Sequence, residues 1–146
     1  MKEVFSSDKH QLVNSLNPAN TSVLPLKKDQ KDIVLALCEA GLPFKVQKKD
    51  LLSLGFDDFN SIENSFSAHP KVDPETGDIF NFGCNAPSSL VMTRHNANME
   101  LIKTSAIKLR NFQAIHDFCL AGDYLIVLEH PIDFSVMSML FTGSYF

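Results

Sequence analysis

The strongest constraint on this chain is the repeated punctuation of short β-prone runs by tight-turn residues. In Asp73-Pro74-Glu75-Thr76-Gly77-Asp78, Pro at the second position presets φ and Gly near the end tolerates a positive φ. The flanking runs Ala68–Val72 and Ile79–Phe82 then read as the arms of a hairpin. A second hairpin joins Leu90–Arg94 to Leu101–Ile107 through Asn96-Ala97-Asn98, and a third joins Ile115–Leu120 to Tyr124–Leu128 through Ala121-Gly122-Asp123. Upstream, Ile33–Cys38 is too short and too β-branched at its start for a helix. It ends at Gly41-Leu42-Pro43, after which Phe44-Lys45-Val46-Gln47 alternates apolar and polar. Successive hairpins with no helix between them predict an all-β meander.

A repeat is visible in the spacing. Asn20-Thr21, His69-Pro70 and His116-Asp117 each head an expected strand, at intervals of 49 and 47 residues. Each interval has room for four short strands, the content of one propeller blade of about 40–50 residues. On this reading 20–66, 67–113 and 114 onward are successive blades, the last incomplete. A β-sandwich fits the strand spacing nearly as well.

Composition narrows the function classes. The 146 residues, 45% of them hydrophobic, make one domain's worth of core. With Lys+Arg 13 against Asp+Glu 17 and no basic run longer than two, no nucleic-acid partner is expected. The apolar runs Ile33–Cys38 and Leu125–Leu128 fall far short of the about 20 residues that span a bilayer. Met1–Asp8 lacks the apolar run of a signal peptide, and Cys38, Cys84 and Cys119 make no disulfide framework. The expectation is a soluble cytoplasmic domain in a reducing compartment.

Five histidines are the residues most able to carry chemistry. His10 lies in a polar N-terminal segment, His95 precedes a turn and His130 precedes Pro131, contexts that suit surface or hydrogen-bonded side chains. His69 and His116 differ: each follows small or apolar residues, each heads an expected strand, and they stand one repeat apart. First strands of propeller blades line one central channel, so such a pair can meet. Neutral imidazole is a common ligand for iron, zinc and copper, although two histidines alone do not close a metal site. Glu39 ends the apolar run Ile33–Cys38. It can accept the free N–H of a metal-bound imidazole or stand as a strand-end carboxylate in water.

At this point the residues resemble a known family. Phe66-Ser67-Ala68-His69-Pro70-Lys71-Val72-Asp73-Pro74-Glu75-Thr76-Gly77-Asp78 with Phe80-Asn81-Phe82-Gly83 resembles the signature of the carotenoid cleavage oxygenases. Ile115-His116-Asp117-Phe118 with Leu120–Leu125 does too, as do Asn20-Thr21 and Leu35–Pro43 upstream. The resemblance covers roughly residues 18 to 135 and leans toward the cyanobacterial-type apocarotenoid oxygenases. It implies a seven-bladed propeller capped by loops that form a substrate tunnel. It also implies a non-haem Fe(II) on the axis, held by four histidines, three of which lean on glutamates. Carried over residue by residue, His69 and His116 match the first two ligands and Glu39 the first glutamate, supporting His116.

The same resemblance implies an N-terminal fragment, with residues 1–17 as a leading segment and 18–146 as an incomplete propeller of two to three blades. The reaction implied is oxidative cleavage of a conjugated C=C bond of a carotenoid or apocarotenoid by O2, with this piece inactive alone. The alternative is a non-catalytic propeller fragment that binds a partner or lipid. The apolar tail Phe134–Phe146 reads either as a segment buried by later blades or as part of a patch for peripheral membrane contact.

Overall fold

The computed structural model describes residues 17–26, 32–39, 41–60, 62, 65–86, 88–110 and 115–130, and every regular element among them is a strand. The first sheet holds β1 (Ser22–Pro25), β2 (Ile33–Leu37), β3 (Phe44–Gln47) and β4 (Ser53–Phe56). The second holds β5 (Lys71–Val72), β6 (Ile79–Ala86), β7 (Ser89–His95) and β8 (Leu101–Lys108). β9 (Cys119–Ala121) and β10 (Tyr124–Ile126) form a third. In each sheet the order in space is the order in the chain, and every pairing is antiparallel. Two four-stranded meanders followed by the start of another are part of a β-propeller, one of the two architectures the spacing allows.

The turns form for the reasons their residues suggest. Asp73 Oδ1 accepts the Glu75 N–H at 2.8 Å, and the Gly77 N–H reaches the Asp73 carbonyl at 2.9 Å with φ at +77°. The Glu75 N–H also holds the Asp73 carboxyl below its usual range. Asn96 Oδ1 does the same work in the next hairpin, accepting the N–H groups of Asn98 and Glu100 at 2.9 and 3.0 Å. Between β9 and β10 only Gly122 and Asp123 intervene, and Gly122 carries the positive φ of +56° that such a turn requires.

Strand alternation divides the core in two. Ile79 on β6 and Leu35 and Leu37 on β2 belong to a cluster between the first two sheets, with Leu26, Leu42, Ile62, Phe66, Ala68 and Met99. One residue along β6 the side chains turn the other way. Phe82 joins Leu90 and Met92 of β7 in a second cluster with Leu109, Ile115 and Phe118. Burying one such leucine or phenylalanine stabilises the fold by about 1.5–3 kcal/mol. The outer strand β8 is largely exposed, and its lysines discourage pairing with another chain.

Two expectations need correction, and one strand went unseen in the sequence. Ile115–Phe118 is not strand: Ile115 and Phe118 are buried, and the Phe118 N–H bonds the Asp117 side chain at 2.7 Å instead of a ladder. Ala68–Pro70 likewise stands outside β5, because the His69 N–H bonds Ser67 Oγ at 3.0 Å and Pro70 has none to give. β4 carries no sequence alternation; Gly55 sits in it at φ +94°, opposite a register shift between Lys45 and Val46. The segment 1–16 with His10, and the tail 131–146, lie outside the described residues.

Candidate metal centre

Antiparallel order puts the start of β5, the start of β9 and the end of β2 at corresponding places in their sheets, and the three residues singled out in the sequence sit there. His69 lies two residues before β5, His116 three before β9, and Glu39 two after β2. They are gathered: the ligand atoms of Glu39, His69 and His116 all lie within 4.8 Å of one another.

His69 is placed by backbone contacts. The Ser67 N–H donates to the Phe82 carbonyl at 3.0 Å and to Asn81 Oδ1 at 3.1 Å, which lays residues 65–67 against β6. Gly83 permits this approach, since a Cβ there would stand 2.2 Å from the Ser65 carbonyl oxygen. Ser22 Oγ, at the head of β1, donates to the Ala68 carbonyl. Pro70 then confines His69 to extended backbone.

His116 is held by its neighbours, Ile115 and Phe118, which are 5% and 3% exposed. Asp117 pairs with Lys71 of β5 at 2.6 Å. Partial burial opposes ionisation of Asp117, but Lys71, the Phe118 N–H and nearby His69 outweigh it and keep the carboxyl below its usual range.

The two rings meet edge to face, centroids 4.6 Å apart and planes at 69°, with Nε2 facing Nε2 at 3.0 Å. Glu39 Oε1 lies 2.7 Å from Nδ1 of His116. That oxygen is fully buried and stands close to Nδ1 without the alignment of a good hydrogen bond. A carboxylate only accepts, so of the two neutral tautomers of His116 it favours the one with the proton on Nδ1 and a lone pair on Nε2. That lone pair faces the second imidazole nitrogen.

Such an arrangement suits a shared cation. Two nitrogens each about 2.1 Å from one ion, a bond length zinc makes to imidazole, lie about 3.0 Å apart at 90° and about 3.4 Å apart at the tetrahedral angle. The observed 3.0 Å is a separation that two imidazole nitrogens sharing one ion can have. The donor set fits a divalent metal, with Glu39 behind one imidazole rather than between the two.

The other histidines stand apart from this group. His95 ends β7 fully buried, its ring 6.3 Å from that of Phe66, and burial pushes its pKa down to about 4. His130 is exposed. Ser67, Asn81 and Gly83 help to place His69, and Lys71 and Asp117 form an ion pair beside the two rings. The sequence shows them only as members of the quoted motifs, with nothing in residue type or spacing to assign them those parts.

The family model described as retinal pigment epithelial membrane protein matches residues 1–145. Carotenoid 9,10(9',10')-cleavage dioxygenase 1 of Arabidopsis thaliana is 32% identical over an alignment 112 residues long that covers 73% of this chain and 21% of that protein. The chain therefore spans about a fifth of the length of the curated relatives it matches first. Among solved structures, the lignostilbene dioxygenase of Pseudomonas brassicacearum aligns with a TM-score of 0.74 at 29% identity, covering 83% of this chain and 26% of that one. A cobalt-substituted apocarotenoid oxygenase of Synechocystis aligns with a TM-score of 0.62 at 27% identity, over 75% of this chain and 24% of that one.

Proposed function

This chain belongs to the retinal pigment epithelial membrane protein family of carotenoid and apocarotenoid cleavage oxygenases, and on that premise we propose that it carries the first half of an iron centre for cleaving a conjugated C=C bond. His69 and His116 are the protein's ligands here, and Glu39 positions His116. The observation that carries this reading is the 3.0 Å approach of the two Nε2 atoms with Glu39 Oε1 2.7 Å behind one of them.

Each residue has a separate task. Glu39 favours the Nδ1–H form of His116, so the Nε2 lone pair is kept toward the ion, and its charge raises the basicity of that ring. His69 approaches from the rigid segment that Gly83 and Asn81 hold against β6. When bound, iron supplies the redox chemistry by which O2 and one C=C bond become two carbonyl groups. The surrounding protein orients the polyene and excludes water.

In this reading the substrate is a carotenoid or apocarotenoid, met by the whole oxygenase in the cytoplasm at a membrane surface. Among the described residues no helix is long and apolar enough to cross a membrane. Two imidazoles hold iron more weakly than a full ligand set, so this chain alone binds metal without turning over substrate. The test is to load the purified chain with Fe(II) and add an apocarotenal anaerobically, then admit O2. Iron retention that disappears in His69→Ala/His116→Ala, with the polyene absorbance unchanged, supports the reading. Equal retention in the double variant contradicts the site, and loss of polyene absorbance contradicts the inactivity of this piece.

A further inference from the structure

The ion pair of Lys71 and Asp117 crosses the same junction as the two imidazoles. Lys71 opens β5 two residues after His69, and Asp117 directly follows His116. Lys71 Nζ lies 2.6 Å from Asp117 Oδ1 and 5.5 Å over the ring of Phe118. Phe118 is itself seated in the core, edge-on to Phe82 at 5.8 Å. The residue after His116 is thus tied to β5 by charge, and the next is anchored by packing.

We propose that the Lys71–Asp117 pair is a positioning device for the metal centre: it fixes where His116 stands relative to His69, and so sets the gap between the two Nε2 atoms. The inference rests on the metal reading above. An ion pair with side chains 30% and 52% exposed contributes little to stability. A ligand set, by contrast, has to be held to within about 0.5 Å. The pair therefore matters to metal capture far more than to folding.

Charge and position make opposite forecasts. If the two residues acted only through their fields, losing Lys71 would strengthen cation binding and losing Asp117 would weaken it. Positioning requires both losses to weaken it.

The experiment titrates Co(II), followed by its visible absorption, into the 146-residue chain and into Lys71→Met, Asp117→Asn, Lys71→Arg and His69→Ala. Lys71→Met and Asp117→Asn should each bind roughly tenfold more weakly, the size of effect expected for partners that orient a ligand. Their apo unfolding midpoints should stay within about 2 °C of the parent, and Lys71→Arg should restore parental affinity. Unchanged affinity in the two single variants overturns the proposal. So do shifts of opposite sign, or an affinity loss that only tracks the unfolding midpoint. His69→Ala separates the two levels: if it binds Co(II) like the parent, the metal reading itself falls. If it loses Co(II) while Lys71→Met keeps it, only the positioning role falls.

Discussion

Between the first and second sheets the contact is apolar and closed, with Leu35, Leu37, Phe66 and Ala68 all at 1% exposure or less. Between the second and third it is partly open. Phe118 and Ile115 fill the interior there, while the surface carries the Lys71–Asp117 ion pair and the side chain of His116 is 64% exposed. His69 is consequently fixed by a packed core and a backbone hydrogen-bond network, and His116 by a short list of side chains. On the proposed reading the difference separates two tasks: the closed junction carries most of the stability, and the open one sets how His116 meets His69.

The comparison breaks most visibly at the closed junction. Leu35→Ala leaves a cavity between the first two sheets and should lower unfolding free energy by about 2–5 kcal/mol in denaturant titrations. Co(II) affinity of the still-folded fraction should barely change; a loss of affinity as large as the loss of stability would erase the division between junctions.

The same junction gives a pH signature through His95. Its folded pKa of about 4 lies below the ordinary imidazole value of 6.5. Above pH 6.5 both states are neutral and the group has no effect on stability. As pH falls from 6.5 to 4 the unfolded chain takes a proton that the folded chain refuses, and stability declines by up to about 3 kcal/mol. Unfolding measured across that window should show this slope, and His95→Gln should flatten it.

Gly83→Ala acts where the junctions meet the site. The added methyl collides with the Ser65 backbone, so the segment carrying His69 has to move, at an expected cost of about 1–3 kcal/mol. It is the one change expected to lower stability and Co(II) affinity together. Glu39→Gln is the smallest: an amide keeps the shape but loses the charge beside Nδ1. It should weaken Co(II) binding about tenfold, or about 1.4 kcal/mol, with the unfolding midpoint unmoved.

Much of this was legible before the structure. The Asp73–Asp78 hairpin follows from Pro74 and Gly77, and β3 from the alternation of Phe44–Gln47. β4 was not legible, because Gly55 and a bulge erase its period. Ile115–Phe118 misled because buried apolar residues in an irregular segment look the same as a strand in sequence. The nearness of His69 to His116 could be reasoned from one repeat of separation, but the partner of Glu39 came only from family resemblance. Lys71 and Asp117 stand 46 residues apart; only the fold brings such charges together. Gly83 shows the same limit, since a glycine's residue type says nothing about which backbone approaches it.

The central claim is that two imidazoles from neighbouring sheets share one ion. Crystals of the chain grown with Co(II), with data collected on either side of the cobalt absorption edge, test it directly. The account expects one anomalous peak about 2.1 Å from Nε2 of both His69 and His116, with Glu39 on Nδ1 of His116. A peak bound to only one ring, or a 3.0 Å contact between the rings that persists with no peak at saturating metal, would contradict it.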